Sequence, residues 1–365
     1  MTDTVESERE LIREQARRLL ADSQQPEVLR RLLDTKSEFD RELWASMAAL
    51  GWMGLTIPEE FDGLGMSLAD QVVIAEELGR VVAAVPYGAT LYAATPALLE
   101  WGSHEQKQQW LPKIAAGEAI GAFAFAETGE AGLPVMPGVS FKDGWLDGEK
   151  VAVSAGAFAD FAIVQASSVD GEILVLVDLH QIGVDREVLD TLDNSRGIAH
   201  LRFHGATAEQ LPGSDRAAAR RVLANAALMT SFEQVGGAQA CLFAARDYAL
   251  QRRVFGQPIG AFQAIKHRLA DLYTAIEVAR GNALAGLDED EQDYELAGAA
   301  ARIAGIRAYD FSAQEALQVH GAIGVTWEAD LHLHYRRART LGLEWGSQPY
   351  WRERLVSLLV DGREV

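Results

Sequence analysis

The sequence predicts a mainly α protein with a central β domain. Residues 1–118 form an N-terminal helical domain, 119–213 a middle antiparallel β domain, and 214–365 a C-terminal helical bundle. Three observations predict this. Apolar residues recur at helical spacing through the first third of the chain, and at Ala119 the period changes to alternation. After Ser214 the helical period returns, and residues 226–250 are rich in Ala and Leu with no proline, as in a long buried helix.

In the N-terminal domain, ESERELIREQARRLLADS sets Leu11, Ile12, Ala16, Leu19 and Leu20 on one stripe. FDRELWASMAAL repeats the pattern and stops at Gly51, a residue suited to the left-handed position after a helix. The loop 57–65 carries Pro58, Gly63 and Gly65, and Ser67 is placed to cap the next helix. GSHEQKQQWLPKIAAGE opens a helix at Gly102 and Ser103, with Trp110 and Leu111 expected in the core. In the middle domain AIGAFAFAE, SFKDGWLDGEKVAVSA, FAIVQAS, EILVLVDL and HLRFHG read as short strands. The pairs Asp143-Gly144, Asp147-Gly148 and Asp170-Gly171 signal hairpins. Within the C-terminal bundle, a pair of stretches interrupts the helices: the turn QRRVFGQPIGAFQ at 251–263, and DEDEQD at 288–293, read as a solvated connection.

Composition narrows the function classes. With 365 residues, 48% hydrophobic and 24% charged, the chain can bury a large core. A formal charge of −20 opposes nucleic acid or an anionic membrane as partner. The single cysteine, Cys241, excludes an internal disulfide and a cysteine-cluster metal site, so no metal is expected and Cys241 reads as apolar filler. MTDTVESERE is acidic, unlike a secretory signal, and no apolar run approaches the ~20 residues that span a bilayer. A soluble, cytoplasmic protein is expected.

The turn at 251–263 holds more than a helix corner needs. Arg252 offers a guanidinium fork for phosphate, Phe255 an aromatic face and Gln263 an amide for a purine edge. RRVFGQPIGAFQAIKHRLAD, with the later QVHGAIGVTWE, resembles the acyl-CoA dehydrogenase family, and the resemblance covers essentially the whole chain. GWMGLTIPEEFDGLG resembles another family signature, with Leu64 replacing one glycine. The resemblance implies the family's fold: an N-terminal helical domain, an antiparallel β domain and a C-terminal four-helix bundle bearing FAD-binding and oligomerisation surfaces. It implies FAD as cofactor, an acyl-CoA substrate and an electron acceptor. In the family, two motifs of one subunit grip the adenosine diphosphate half of a neighbour's FAD. Arg252, Phe255, Gly256 and Gln263 match the first, and Gln318, Gly321 and Gly324 the second, with Ala322 in place of a usual glycine.

The resemblance also implies a carboxylate base in a dry pocket and hydride transfer to the flavin. Carrying the family spacing on from Gln318 lands on Trp345, with Glu344 one residue early. The other family position falls on Ala226, and Glu233 lies seven residues on, along the same helical face. Glu344 and Glu233 are therefore the catalytic candidates; the competing reading of Glu233 is a buried carboxylate paired with an arginine. Against the family's Thr-Glu-Pro-Gly-x-Gly-Ser-Asp, the loop AETGEAGL keeps Glu127 and Gly129 but differs at Ala126, Thr128, Ala131, Gly132 and Leu133. In VAVSAG, Ser154 keeps a hydroxyl that could reach flavin N5, whereas Ala152 replaces the aromatic that shields the ring. The adenosine-end motifs are present and the ring-end motifs are thinned. That pattern resembles the smaller subunit of actinobacterial-type α2β2 acyl-CoA dehydrogenases, which often act on bulky, sterol-like or branched acyl groups. The expectation is an FAD-dependent α,β-dehydrogenation of a CoA thioester by a homo-oligomer or a heterotetramer with a paralogous subunit, FAD being shared across the interface. The alternative is a catalytically silent subunit that completes a partner's FAD site.

Overall fold

The computed structural model describes residues 2–23, 25–130, 132–134, 136–287 and 294–361, with side chains for those from 9 to 360; the acidic stretch 288–293 lies outside them. The chain begins with helices α1 (Thr2–Asp22), α2 (Gln25–Leu33), α3 (Arg41–Ala49), α4 (Leu68–Arg80), α5 (Thr95–Trp101) and α6 (His104–Ala115). Local chemistry sets their ends. Asp40 accepts from the Leu43 N–H at 2.9 Å to open α3, and Gly51 follows that helix at φ 77°. The Asp70 carboxylate accepts from the Ser67 N–H at 3.0 Å, and Ser103 and Gln106 exchange bonds at 3.2 and 2.9 Å. Trp110 and Leu111 are buried as expected. Ahead of α5, Gly88–Ala94 winds as a fully buried π-helix, a form often found at functional sites.

The sheet comprises β1 (Gly121–Ala124), β2 (Ser140–Lys142), β3 (Trp145–Val153), β4 (Phe161–Ser168), β5 (Gly171–Asp178), β6 (Val184–Val188), β7 (Ala199–Thr207) and β8 (Glu209–Gln210). Its order is β6-β7-β3-β2-β4-β5-β8, with β1 beside β4. Most ladders are antiparallel, but β1 runs parallel to β4, and β2 meets β4 in parallel at Ser140↔Ser167. Neither pair is joined by a hairpin, so local pattern carries no sign of strand direction. Asp143 and Gly144 do turn the β2–β3 hairpin, at φ 50° and 86°, and Gly171 opens β5 at φ 119°. Asp147-Gly148 does not turn. It lies within β3 at a register shift, where Gly148 has φ 127° and a Cβ would meet the Val139 Cα at 2.9 Å. The half-exposed β6 carries too little apolar alternation to be legible as a strand.

The C-terminal region holds α7 (Arg216–Gln251), a ribbon of β9 (Arg253–Val254) and β10 (Gln257–Pro258), α8 (Gln263–Ala285), α9 (Tyr294–His320), α10 (Leu331–Leu343) and α11 (Gln348–Asp361). One core spans the N-terminal helices, the sheet and the first half of α7; a second joins the rest of α7 to α8, α9 and α10. The helix α7 thus stitches the two, buried on every side from Val222 to Ala238. It crosses α4 at backbone contact: a Cβ on Gly236 would lie 1.9 Å from the Glu76 carbonyl oxygen, and one on Gly79 1.8 Å from that of Glu233. Gly236→Ala should therefore force the helices apart and cost about 3 kcal/mol or more, seen as a lowered denaturant midpoint; an unchanged midpoint would remove this crossing as a determinant of the fold. Among the described residues no helix is long and apolar enough to cross a membrane.

Candidate active site

The sequence-predicted residues fall into two places. The first is the exposed end of the bundle. Arg252 ends α7, its N–H donating to the Tyr248 carbonyl at 2.8 Å, and its own carbonyl accepts from Ile259 N–H at 2.8 Å to close the turn. Val254 pairs with Gln257, so Phe255 and Gly256 form the tip, at φ 52° and 84°. Such a tip favours Asn-Gly; a phenylalanine there is strained. Phe255 is moreover 92% exposed, so folding gains nothing from its ring. Neither packing nor backbone preference in this chain accounts for a phenylalanine at that position. Gln263 opens α8, also exposed. The second motif is brought alongside: His320, the last residue of α9, stacks on Tyr248 with ring centroids 4.2 Å apart. Gln318 and Gly321, the latter at φ 61°, are exposed and flank that stacked histidine in sequence. Gly324 is buried, and a Cβ there would meet the Leu317 carbonyl at 2.9 Å. Among the described residues Arg252 has no ion-pair partner.

The second place is a cleft of about 270 Å³ between the sheet and the bundle, lined by Phe125, Ala126, Ala152, Ser154, Glu344 and Trp345 among others. Its backbone is strained: Ala152, Ala155 just behind it, and Trp345 hold φ of 49°, 58° and 63°. Trp345 is buried, stacked on Phe125 at 6.3 Å, and its carbonyl accepts from the Trp351 indole at 2.8 Å. Ala226 is fully buried. Glu344 ends α10, and both its oxygens accept from Arg196 Nη2, at 3.0 and 2.8 Å, while Ser154 Oγ donates to Oε1.

Behind the cleft lies a buried ionic network. Arg196 Nη1 reaches Glu233 at 3.3 Å, and Arg337 Nη1 reaches the same oxygen at 3.3 Å. Arg337 Nε also donates to Asp193 at 2.6 Å and its Nη2 to the Ser195 hydroxyl at 2.8 Å. Arg302 donates to Gln234 at 3.0 Å and to the carbonyls of Leu341 and Glu344. Three arginines thus face three carboxylates, every one of them buried. Burial alone would lower the Arg196 pKa, but Glu344, Glu233 and Asp193 together hold it above its ordinary value. For Arg302 burial wins, pushing it down to about 10 against the pull of Glu344 and Glu233.

Comparison with known proteins decides the family. Residues 6–118 match the acyl-CoA dehydrogenase N-terminal domain, and residues 216–356 the acyl-CoA dehydrogenase C-terminal domain. The chain is 32% identical to the acyl-CoA dehydrogenase IpdE2 of Mycobacterium tuberculosis, over 92% of each chain. It is 34% identical to IpdE2 of Mycolicibacterium smegmatis, over 91% of this chain and 92% of that protein. The chain belongs to the acyl-CoA dehydrogenase family. Among solved structures, a variant of the Tcur3481-Tcur3483 steroid ACAD superposes with a TM-score of 0.90 at 28% identity, covering 98% of this chain and 99% of that one. The ChsE4-ChsE5 complex from M. tuberculosis gives 0.88 at 26% identity, covering 97% of each.

As an acyl-CoA dehydrogenase-type flavin oxidoreductase, the chain can be tested for fit to the flavin nucleotide its family carries. The exposed turn fits: an unpaired guanidinium, a bare aromatic ring and two glycines at positive φ are what a pyrophosphate and a purine ask of a surface. The cleft does not fit a self-contained ring site. The Ser154 hydroxyl is spent on Glu344, and Ala152 presents only a methyl group. The loop before it is held by structural contacts. Glu127 accepts from Lys150 Nζ at 2.6 Å and from Gly138 N–H at 2.7 Å, and a Cβ on Gly132 would strike Tyr350 at 2.4 Å. Gly129 is exposed at φ 90°, and residue 131 lies outside the described residues.

The catalytic candidates are also changed by their surroundings. Both Glu344 oxygens accept from Arg196 and one also from the Ser154 hydroxyl, so the carboxylate is already engaged inside the protein. Glu233 bridges two arginines, so the competing reading of it is the one the geometry supports. Sequence reasoning missed Arg196, Arg302, Arg337 and Lys150 altogether. No local pattern marks them, because each sits among polar or helical neighbours and is buried only by distant elements. Glu344→Gln should lower stability by about 1–3 kcal/mol, with a rate loss in the assembled protein short of the ~10²–10⁴-fold that a general base contributes. A loss within that range would restore Glu344 as the base.

Proposed function

We propose that this chain is one subunit of an FAD-dependent acyl-CoA dehydrogenase that catalyses α,β-dehydrogenation of a CoA thioester, with FAD shared across a subunit interface. The observation that carries the reading is the asymmetry between the two places. Arg252, Phe255, Gly256, Gln263, Gln318 and Gly321 are all exposed, and among the described residues Arg252 has no ion-pair partner, as on a surface offered to a neighbour's nucleotide. The cleft has spent its polar groups on itself. The domain divisions at 118 and 213 belong to the same reading: the third domain presents the turn, the second and third enclose the cleft.

A second reading, a catalytically silent subunit completing the site of a paralogous partner, is favoured specifically by the pairing of Glu344 with Arg196 and by Trp345 and Ala226 at the two expected base positions. The likeness to a steroid ACAD named for two chains and to the ChsE4-ChsE5 complex supports a mixed assembly and a bulky, ring-bearing acyl group. The charge of −20 argues against nucleic acid or an anionic membrane as a partner, and the single cysteine fits a reducing, cytoplasmic setting. Co-purification with a paralogous chain, followed by a flavin-to-chain ratio, tests the proposal. The mixed assembly should carry about one FAD for every two chains by shared-site symmetry. One tightly bound FAD per chain in a pure homotetramer would overturn it.

A further inference from the structure

We infer that Arg196 is a positioning residue that silences Glu344, clamping it as an internal counter-ion where a proton acceptor would otherwise stand. The inference rests on the proposed function, which sets Glu344 beside an expected base position.

The clamp is built from the backbone outward. Arg196 closes a 3-10 turn, Asn194–Arg196, in the β domain. Its carbonyl accepts from the Ala155 N–H at 3.1 Å, and the Gly197 carbonyl from Ala157 N–H at 2.9 Å. The turn is thereby fastened next to Ser154. Gly197 takes φ 56°, and a Cβ on it would meet the Phe158 ring at 2.0 Å, so the chain leaves the turn in only one direction. On the helical side the π-helix presents Gly88, where a Cβ would already approach Arg196 Nη2 to 3.2 Å. The guanidinium therefore has a fitted berth. Within it, Nη2 holds both Glu344 oxygens and Nη1 holds Glu233. The other groups facing Glu344 are the Ser154 hydroxyl, Arg302 from α9, which also holds the Glu344 carbonyl, and Tyr92 from the π-helix.

Arg337 already joins the β domain, α7 and the end of α4. Arg196 shares Glu233 with Arg337 and in addition engages Glu344: one guanidinium nitrogen on both oxygens, next to a cleft, at a place flanked by Trp345. The consequence is chemical. A proton delivered to Glu344 would have to displace the Arg196 guanidinium from a buried pair.

The test is infrared detection of a protonated carboxylic acid in the full-length protein, purified with its partner where one co-purifies. Arg196→Met should give a protonated-acid band at neutral pH that disappears in Arg196→Met/Glu344→Gln; the wild type and Arg196→Lys should show none. No band in Arg196→Met, or a band that persists in the double variant, would overturn the inference. Should Arg196→Met fail to fold, Arg196→Lys keeps the charge and loses the fork. On acidification its Glu344→Gln-sensitive band should then appear at a higher pH than that of the wild type, and an unmoved midpoint would overturn the inference equally. The flavin-to-chain ratio of the same samples fails separately, with the reading of the shared FAD site.

Discussion

Replacing Arg337 with methionine should cost about 3–5 kcal/mol of folding stability, the range for breaking one side of a buried ion pair. The guanidinium is fully buried and ties three regions: Asp193 and Ser195 of the β domain, Glu233 on α7, and the Val82 and Ala83 carbonyls after α4. Removing it leaves two carboxylates short of a cation and two carbonyls short of a donor. Lysine should not rescue, because a single ammonium cannot span that set. Neighbouring Arg336, which donates to the Leu192 carbonyl at 2.9 Å in an exposed setting, is the control; Arg336→Met should cost less than about 1 kcal/mol. Urea denaturation checks both, and a change below about 1 kcal/mol at Arg337 would show that the network does not hold the domains together.

The same variant should alter the response to acid. Burial pushes the Asp193 carboxyl up, but Arg337, the Ser195 hydroxyl and Arg196 outweigh it and hold its pKa below the ordinary value. A carboxyl depressed in the folded state stabilises the fold above its unfolded pKa, about 3.9. That contribution is lost as pH falls through the lower folded value. The wild type should thus keep the Asp193 contribution down to about pH 4. In Arg337→Met burial is no longer outweighed in the same way, and the loss should begin at higher pH.

Arg252→Ala should loosen FAD without loosening the fold. A charged hydrogen bond to a pyrophosphate contributes about 1.5–3 kcal/mol, which corresponds to about 10- to 100-fold weaker retention. Stability should hardly move, since Arg252 is exposed and its turn is closed by backbone bonds that alanine keeps. Flavin fluorescence released on dilution gives the loss, and a denaturation curve the control. Full flavin occupancy in the variant under dilution would count against the turn as a cofactor surface.

By itself the sequence determined what depends on neighbours along the chain. Helix ends at Gly51, Ser67 and Ser103, the hairpin at Asp143-Gly144, and the change of period at Ala119 follow from backbone preferences and periodic burial acting over a few residues. The two nucleotide motifs were legible for the same reason: each is a short run whose glycines and polar groups must stand at fixed offsets. Tertiary structure decided the rest. Only the packing of α7 on α9, with His320 stacked on Tyr248, brings the ends of the two helices that carry the motifs together, and only the fold sets Gly148 as a bulge instead of a turn. Above all it decided the state of Glu344 and Glu233. Their partners Arg196 and Arg337 lie 148 and 104 residues away, and nothing local marks an arginine that will be buried. A carboxylate's chemistry is set by the charge and solvent around it, and these are supplied by whichever distant elements the packing brings near.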